Sequence, residues 1–374
     1  MDFLALNTYA GSILCAAREV GIPIRGSYED AGYGSTIAKA NFPDVRHKER
    51  TPWPEDDLSQ TIVLAHPPCS AWSQQNNSSA AKGNDAKKFA CTLQVLEYAL
   101  KNRCAALAIE SVIPALEGAR SVHDEAAKRH GYAVFRLLQN SISFGLPQWR
   151  PRFWVLFIPE GRVHQLMVDF TPRYRCVGQL MAEAEPGPAD PTLERDWQRQ
   201  LDLLKVKGFS DPDADELLNS TETFGSLPGL IKKFSDRRIM LKGDVQHLRD
   251  MDNGRLAKEF CVGGNFMSHC LRVLDPAGYA TTLLFDSWWA CQGRVLSYAE
   301  YNAVMGFPRS YIFPGKTQPK FREFLSRGVC PPVASWVIRT LLQNLNHITV
   351  SEKFRCLPGE TLDLLPQKDE VKFG

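Results

Sequence analysis

The stretch that decides the fold is residues 61–73, TIVLAHPPCSAWS. Its first five residues form a short, almost wholly apolar run, which is typical of a strand buried on both faces of a parallel sheet. Pro67 and Pro68 cannot continue such a strand, so the chain must turn there. We therefore expect a stiff turn that presents Cys69 just beyond the carboxyl end of the strand.

The composition is that of a globular protein. The 374 residues are 44% hydrophobic and 23% charged, which fits one large domain and a smaller one. The net charge of +2 gives no general basic character, so any surface for an anionic partner must be local. The chain shows neither a run of about 18 apolar residues nor the pattern of a leader peptide. We therefore expect a soluble, cytoplasmic protein with no membrane partner.

The ten cysteines contain no CxxC pair. Their spacing argues against a structural zinc site and against a disulfide framework, so no metal is predicted. Most of them are expected to be small core residues, which leaves room for one reactive thiol.

Strands and helices alternate over the first 160 residues. The predicted strands lie within 2–11, 23–29, 61–65, 104–112 and 151–159, and the predicted helices within 13–21, 85–103 and 123–131. Helix 85–103 is expected to bury one apolar face, formed by Phe89, Leu93, Leu96 and Leu100. This alternation predicts an α/β fold with a parallel sheet covered on both faces. Ligands of such sheets bind beyond the carboxyl ends of the strands.

The pattern breaks after about residue 160. Residues 182–200 are acidic and proline-rich, as in a solvated linker, and residues 351–374 resemble a tail. Helical periodicity returns in 294–308 and in 331–345. A basic cluster lies between these parts, formed by Lys232, Lys233, Arg237, Arg238 and Lys242. It suits contacts with nucleic-acid phosphates and fits a solvated helix face equally well.

Four stretches follow predicted strands and are expected to meet at one edge of the sheet: NTYAGS (7–12), HPPCSAWS (66–73), IESV (109–112) and FGLPQWRPR (144–152). Each has an ordinary structural explanation when taken alone. Cys69 could be a buried apolar residue, Glu110 could cap a helix, and Arg150 could be a surface charge. Their joint occurrence in this order favours a functional site.

Taken together, these stretches resemble the motifs of the cytosine-C5 methyltransferase family, the C5-cytosine-specific DNA methylases. The resemblance covers the first 160 residues and about 271–342. It rests on FLALNTYAGS (3–12), GSYED (26–30), HPPCSAWS (66–73), AIESV (108–112), NSISFGLPQWRPRFWVLFIP (140–159), RVLSYAEYNAVMGFP (294–308) and SRGVCPPVASWVI (326–338).

The resemblance implies a Rossmann-like, S-adenosylmethionine-dependent methyltransferase domain with a smaller inserted target-recognition domain. Residues 1–160 are then expected to bind the donor and carry the nucleophile, and 161–270 to recognise the target. Residues 271–346 would return to the catalytic domain, with the helix from Pro331 packing on the amino-terminal part, and 347–374 would form a tail.

The implied reaction transfers a methyl group from S-adenosylmethionine to carbon 5 of a cytosine flipped out of DNA. Carbon 5 is a poor nucleophile, so Cys69 would first add to carbon 6 and make the ring electron-rich. Glu110 would hold ring N3 as a protonated acid, and Arg150 and Arg152 would complete the catalytic set. The implied partner is double-stranded DNA, bound by a monomer, with base flipping and a role in restriction-modification.

The remaining site residues follow from the same resemblance. The residues expected to bind the donor are Tyr9, Ala10, Gly11, Ser12, Glu29, Asp30, Pro67 and Arg327. The residues expected to bind the substrate are Ser70, Ser73, Gln148, Lys232, Lys233, Arg237 and Arg238.

The chain departs from the family pattern at several positions. Ser111 stands where the family has an asparagine that braces the cysteine loop, and Asn7 and Tyr9 stand near the usual aspartate and phenylalanine. Arg327 lies where a Gly-Asn pair is usual, close to the expected place of the donor's methionine part. A guanidinium near a sulfonium is unfavourable unless an anion lies between them. One alternative is therefore a carboxylated donor and carboxymethyl transfer; the other is that Arg327 faces solvent or a DNA phosphate.

Two further alternatives stay open. An RNA cytosine-C5 methyltransferase would use the same chemistry, because the base is the same in both nucleic acids. A DNA-binding protein with a degenerate catalytic site is the alternative from another class. The complete set of Cys69, Glu110, Arg150 and Arg152 argues against it.

Overall fold

The computed structural model describes residues 1–29, 34–49, 53–72, 83, 89–183, 258–261, 270–274, 276–282, 287–291, 294–314, 318–346, 354–367 and 370–373. The chain divides into two compact units. The sheet unit consists of Met1–Phe144, Pro151–Pro172 and Gly328–Glu370. The second unit consists of Gly145–Arg150, Arg173–Arg327 and Val371–Gly374.

The sheet unit is built on an eight-stranded sheet with the order β16-β6-β8-β5-β4-β1-β2-β3. Its strands are β1 (Asp2–Leu6), β2 (Ile24–Glu29), β3 (His47–Glu49), β4 (Thr61–Ala65), β5 (Ala106–Ser111), β6 (Tyr132–Asn140), β8 (Pro151–Pro159) and β16 (Thr361–Asp363). Within this sheet β8 alone is antiparallel to its neighbours β5 and β6. The predicted α/β fold with a mainly parallel sheet is confirmed, with one reversed strand.

Helices cover the sheet because both of its faces are apolar. Leu4 and Val63 on one face join a core cluster with Leu96 of α3, while Phe3 and Leu64, which point to the other face, are equally buried. The helices of this unit are α1 (Ser12–Val20), α2 (Ser35–Asn41), α3 (Ala90–Lys101), α4 (Ala115–Gly118), α5 (Arg120–His130) and α9 (Pro331–Leu345). A short two-stranded sheet pairs β9 (Leu166–Val168) with β15 (Phe354–Cys356).

Helix α9 packs against α1, as expected for the chain's return to its amino-terminal part. Ser335 of α9 donates a hydrogen bond from its Oγ to Oε2 of Glu19 in α1, at 2.8 Å. Pro331 and Pro332 begin α9, where proline is well tolerated because the first helical N–H groups have no partner within the helix. The beginning of α9 is thereby joined to the helix that follows the first predicted motif.

The second unit contains a four-stranded sheet with the order β10-β11-β13-β14 and a two-stranded pair of β7 and β12. Its strands are β7 (Gln148–Trp149), β10 (Lys258–Cys261), β11 (Cys270–Val273), β12 (Ala280–Thr281), β13 (Ser287–Cys291) and β14 (Arg294–Val295). Its helices are α6 (Val177–Ala182), α7 (Tyr298–Met305) and α8 (Gln318–Arg327). Ser297 and Glu300 form a capping box that begins α7, and Gly306 ends it in the left-handed conformation.

The described helices contain none that is long and apolar enough to cross a membrane. Two expectations differ from the structure. Leu93, placed on the buried face of its helix, is 44% exposed, whereas Phe89, Leu96 and Leu100 are buried. The stretch that resembles a tail contributes β15 and β16, and β16 extends the sheet beside β6.

Candidate active site

The predicted cysteine turn lies where the sequence places it, directly after β4. The backbone N–H of His66 donates to the carbonyl oxygen of Leu6 at 3.1 Å, which extends the pairing of β4 with β1 by one residue. Pro68 then ends the extended chain, and Cys69 begins a short 3-10 turn, Cys69–Ala71. The Cys69 side chain is partly exposed at this edge of the sheet.

Glu110 and Arg152 meet at the same edge because β8 is antiparallel to β5. Glu110, near the end of β5, is paired in register with Trp154 of β8. Arg152 lies two residues earlier on β8, so its side chain leaves the same face of the sheet as that of Trp154. Its Nε lies 3.2 Å from Oε1 of Glu110. Because β8 is reversed, Arg152, near the beginning of this strand, lies at this edge. From the sequence, residues 144–152 are expected at this edge because they follow a strand.

His66 completes a network that we call the catalytic pole: His66, Cys69, Glu110 and Arg152. Nε2 of His66 lies 3.1 Å from Oε2 of Glu110. The two carboxylate oxygens of Glu110 therefore face two different cationic groups. Glu110 is 2% exposed and His66 is 7% exposed, so water screens this pairing little.

The electrostatics of the catalytic pole favour a thiolate. Burial by itself lowers the pKa of His66, but the charge of Glu110 and the interaction with Cys69 raise it to about 9. Burial also acts to raise the pKa of Cys69. The adjacent imidazole of His66 and its charge, together with the charge of Arg152, outweigh burial and hold that pKa below the usual range of a thiol. A protonated His66 therefore favours the ionised form of Cys69.

The cysteine turn is braced by aromatic packing. The ring of Trp72 lies so close to Gly118 that a Cβ at that position would come within 2.1 Å of it. Trp72 also contacts Phe89 edge-to-face, with ring centroids 6.2 Å apart. Ser111, which replaces the asparagine typical of the family, lines a small cavity beside Cys69. Packing of Trp72 thus supports the cysteine turn, where Ser111 is expected to form fewer hydrogen bonds than the family's asparagine.

A second cluster lies at the same edge of the sheet, and we call it the donor pole: Thr8, Tyr9, Ala10, Gly11, Ser12 and Glu29. Asn7 and Tyr9 both have positive φ, 52° and 66°. Residues other than glycine rarely adopt this conformation, and such strain is often found at functional sites. Gly11, at φ 76°, precedes α1, and no described side chain caps the helix there.

Glu29 is the buried carboxylate of the donor pole. Its Oε1 accepts hydrogen bonds from the backbone N–H and from Oγ1 of Thr8, both at 2.8 Å. Burial raises the pKa of Glu29 to about 7, although the hydrogen bonds from Thr8 and Tyr9 and the charge of His66 act to lower it. Gly34 packs so tightly on this loop that a Cβ would lie 1.2 Å from the carbonyl oxygen of Tyr9.

These residues fit S-adenosylmethionine. A buried carboxylate at the end of β2 suits a pair of ribose hydroxyls, because it can accept two hydrogen bonds. The start of α1, which has small residues and no capping side chain, suits the amino-acid end of a ligand, because the positive end of the helix dipole favours a carboxylate. Val329 supports the loop from the carboxyl-terminal side: its backbone N–H donates to Oγ of Ser12 at 3.2 Å.

The other predicted residues lie in different surroundings. Pro67 is buried beside Cys69, and Ser70 is partly buried in the cysteine turn. Arg150 and Gln148 belong to the second unit, where Arg150 donates from Nη2 to the carbonyl oxygen of Ser326 at 2.9 Å. Gln148 donates from Nε2 to Sδ of Met305 at 3.2 Å.

Arg327 ends α8 and pairs with Glu323, with Nη2 and Oε1 3.1 Å apart, while its side chain is 48% exposed. Six predicted residues lie outside the described part of the chain: Asp30, Ser73, Lys232, Lys233, Arg237 and Arg238.

Sequence reasoning missed two members of the poles. His66 lies within the quoted HPPCSAWS stretch, yet it received no role. The signal was an ionisable residue at the very end of a buried strand, three residues before the thiol. Thr8 gave no comparable signal, because its contact with Glu29 spans two strands of the sheet.

Comparison with known proteins places the chain in a family. The sequence profile of the C-5 cytosine-specific DNA methylases matches residues 1–201, more than half of the chain. The chain belongs to this family. No curated protein matches it closely enough in sequence to count as a relative.

Solved structures of low sequence identity share the fold. A candidate DNA modification methyltransferase encoded within an Escherichia coli prophage superposes with a TM-score of 0.57 at 14% identity, over 92% of this chain and 99% of that one. The methyltransferase EhMeth of Entamoeba histolytica gives 0.54 at 11% identity, over 92% and 98%. A mutant of Spodoptera frugiperda DNMT2 gives 0.51 at 14% identity, over 91% and 99%.

Family membership fixes the general activity. The protein is a cytosine-C5 methyltransferase, its methyl donor is S-adenosylmethionine, and its substrate is a nucleic acid.

Proposed function

We propose that the substrate is double-stranded DNA and that a covalent bond between Cys69 and carbon 6 of a flipped-out cytosine activates the ring. The observation that carries the proposal is the contact of Glu110 with both His66 and Arg152, beside a thiol whose pKa is lowered. A structural core would gain little from four such groups at a strand end, since burying charge is costly. A nucleophile and a proton donor need this environment.

Each residue of the catalytic pole has a defined task in this proposal. The Cys69 thiolate forms the S–C6 bond, and the displaced ring electrons make carbon 5 nucleophilic. Glu110 holds a proton at ring N3, which stabilises the charge that develops as the thiolate adds. Arg152 orients the Glu110 side chain. When bound, the donor supplies an electrophilic methyl group on a sulfonium. Water then takes the carbon 5 proton, and the electron pair of that C–H bond re-forms the ring double bond as the S–C6 bond breaks and the thiolate leaves.

The donor pole would hold S-adenosylmethionine. Glu29 would accept hydrogen bonds from the ribose hydroxyls, with Asp30 next to it in the chain. Residues 9–12 would lie against the amino-acid end of the donor, since a helix start without a cap favours a carboxylate. Pro67, buried beside the cysteine turn, would separate the donor from Cys69.

DNA recognition would come from the inserted region, residues 161–270, between catalytic parts 1–160 and 271–346. The target carbon is inaccessible inside a duplex, so the enzyme must extrude the base and hold the surrounding DNA. We propose that the basic cluster Lys232–Lys242 contacts phosphates. Ser70 and Ser73 would bind the substrate beside Cys69, Gln148 and Arg150 would have the substrate-binding roles that the family resemblance implies, and one monomer would act on one strand.

Sequencing tests the reaction and its target together. The protein is expressed in a host that lacks cytosine methylation, and bisulfite sequencing of genomic DNA and total RNA follows. We expect cytosines in a short DNA motif to resist conversion, and Cys69→Ala to abolish this protection. Protected cytosines in RNA alone would overturn the DNA assignment, and protection by Cys69→Ala would overturn the proposed adduct.

A carboxylated donor is a second candidate, which one contact favours. The bond from Val329 to Ser12 holds residues 328–329 against the donor pole, and Arg327 immediately precedes them. The ion pair of Arg327 with Glu323 favours instead a structural role for the guanidinium. Mass spectrometry of nucleosides from the modified DNA separates the two. A methyl mass alone excludes carboxymethyl transfer, and a carboxymethyl mass that requires Arg327 establishes it.

A further inference from the structure

Among the buried or half-buried histidines of the sheet unit, His66 is the one whose ring faces a buried carboxylate; the half-buried His130 lies 3.5 Å from Oε2 of Glu97, whose side chain is 57% exposed. Nε2 of His47 lies 2.9 Å from the carbonyl oxygen of Phe42, which is an ordinary structural contact with the backbone. The ring of His123 packs between Phe153 and Phe157, with centroids 6.3 and 6.0 Å apart. The ring of His66 instead faces a carboxylate, with Nε2 3.1 Å from Glu110 Oε2.

The second ring nitrogen of His66 is also informative. Nδ1 is buried and has no hydrogen-bond partner within the part of the chain that the structure describes. A buried polar atom without a partner costs free energy, so its retention calls for an explanation. Cys69 begins the turn three residues later and interacts with the imidazole. The ring therefore lies between a thiol and a carboxyl group, with Nε2 3.1 Å from Oε2 of Glu110.

We propose that His66 is a positioning residue that takes the proton of Cys69 and shares it with Glu110. The proposal rests on the proposed function, in which Cys69 is the nucleophile and Glu110 the acid at ring N3. It assigns His66 a role in preparing both groups at once, before the base is attacked.

The proton transfer is balanced within the catalytic pole. The S–H bond of Cys69 breaks and leaves its electron pair on sulfur, while the proton forms an N–H bond on the imidazole. The imidazolium then passes the proton at Nε2 to Oε2 of Glu110, which leaves a neutral His66, a thiolate and a carboxylic acid. The net charge of the three groups stays the same, and Arg152 compensates it throughout. No external acid or base is required.

The groups that act on His66 and Cys69 come from four elements. Cys69 lies in the turn after β4, Glu110 is on β5, Arg152 is on β8, and the charge of Glu29 on β2 is also coupled to that of His66. Removing the imidazole is therefore expected to raise the pKa of Cys69, because only Arg152 would remain to favour the thiolate.

Alkylation of Cys69 tests this without any nucleic acid. The full-length protein is treated with iodoacetamide between pH 5 and 10, and modification of the Cys69 peptide is followed by mass spectrometry, which separates it from the other nine cysteines. We expect His66→Gln to raise the pH midpoint by about one unit or more toward the ordinary thiol value of about 8.5. At pH 6 the rate of alkylation should fall by at least about threefold. The fall is smaller than the loss of thiolate alone would cause, because a thiolate of higher pKa is also more nucleophilic.

His130→Gln is the matched control, because it removes an imidazole of the same unit that faces a different carboxylate, with Nε2 3.5 Å from Oε2 of Glu97. We expect it to leave the midpoint of Cys69 unchanged. His66→Asn provides a second replacement if the glutamine variant unfolds, as judged by its melting curve. A midpoint that is the same in wild type and in a folded His66 variant would overturn the proposal, as would an equal shift in His130→Gln.

The pH dependence of methyl transfer gives the second readout. In His66→Gln the rate at saturating donor should recover as the pH rises toward 9, because hydroxide then replaces the lost proton acceptor. A loss that is equal at every pH would indicate a merely structural role and overturn the proposal. If alkylation depends on His66 but no nucleic acid is methylated, the proposed function fails and the His66–Cys69 coupling stands.

Discussion

The donor pole and the catalytic pole lie at one edge of one sheet, and each contains a buried glutamate at a strand end. At the donor pole, Glu29 accepts hydrogen bonds from Thr8, which is neutral. At the catalytic pole, Glu110 lies between His66 and Arg152, which are basic. The same side chain in the same position of an α/β sheet has thus been given two electrostatic surroundings.

The difference shows how one scaffold separates binding from proton transfer. Burial raises the pKa of Glu29 and its neutral donors offset this only in part, so its charged form is stabilised fully only when a ligand adds further hydrogen bonds. The basic partners of Glu110 tie its protonation to that of a thiol and an imidazole. Changes at the catalytic pole should therefore remove the chemistry, whereas changes at the donor pole should weaken binding.

The largest effect is expected from Cys69→Ala. Loss of the nucleophile should lower the rate of methyl transfer by about 10⁴-fold or more, by analogy with other enzymes that lose a nucleophile. Donor affinity, measured by calorimetry with S-adenosylmethionine, should stay within about twofold, which corresponds to less than about 0.5 kcal/mol. The control is Cys104→Ala, which removes a buried cysteine whose Sγ accepts a hydrogen bond from the hydroxyl of Tyr132. This variant should retain methyl transfer. A Cys69→Ala variant that still transfers methyl groups would contradict the assignment of the chemistry to the catalytic pole.

Glu110→Gln should have the next largest effect. The amide cannot deliver a proton to ring N3, so methyl transfer should slow by about 10²- to 10⁴-fold. His66 and Arg152 would also lose a carboxylate partner, so a lower melting temperature is expected as well. Steady-state rates and melting curves are compared with those of Glu117→Gln, an exposed carboxylate on α4. Full activity in Glu110→Gln would show that the acid lies elsewhere.

Glu29→Gln tests the donor pole. It should weaken S-adenosylmethionine binding by about tenfold, because hydrogen bonds to a charged acceptor contribute about 1.5–3 kcal/mol and the amide retains part of them. At saturating donor the rate should change little. Calorimetry and initial rates measure the two quantities separately. A large loss of rate at saturating donor with unchanged affinity would place Glu29 in the chemistry.

The same variant makes a prediction about stability and pH. A carboxyl group whose pKa is raised on folding holds its proton more tightly in the folded state, so it stabilises the fold at low pH. That contribution is lost as the pH rises from the unfolded value of 4.5 through the folded value of about 7. Glu29→Gln removes this titration, so at pH 8 it should melt a few degrees above wild type without donor. Equal melting temperatures of the wild-type protein at pH 5 and pH 8 would contradict a pKa of Glu29 that is raised on folding.

The smallest effect is expected from Gly118→Ala. The added methyl group would meet the ring of Trp72, which braces the cysteine turn, so Cys69 should shift slightly. We expect a loss of about tenfold in rate, since small misplacements near a reacting group have such effects. Glu117→Ala, on the same helix but exposed, should leave the rate unchanged. An unaffected Gly118→Ala variant would mean that Trp72 does not position the nucleophile.

Much of the sheet unit could be predicted from local sequence. The run at 61–65 and the run at 151–159 form β4 and β8 with the predicted bounds, because each is apolar and has proline at or just beyond one end. Gly21 ends α1 in the left-handed conformation, as expected of a glycine after a helix. The predicted family and α/β fold are confirmed.

Local sequence does not predict the order and direction of the strands, and these determine which side chains meet at the catalytic pole. Strand β6 carries the buried polar residues Arg136 and Gln139, so its apolar pattern is interrupted and it escaped prediction. The reversal of β8, which brings Arg152 to Glu110, depends on pairing with that strand. The role of His66 depends in turn on β5 lying beside β4, a contact between residues 44 positions apart.

A covalent trap tests the central claim most directly. Double-stranded DNA that contains 5-fluorocytosine in the recognised motif is incubated with the protein and S-adenosylmethionine, and the products are separated under denaturing conditions. Fluorine on carbon 5 cannot leave as a proton does, so the bond between enzyme and base should persist. We expect a stable protein–DNA adduct whose modified peptide contains Cys69. An adduct of equal yield in Cys69→Ser, or one mapped to another residue, would contradict the account.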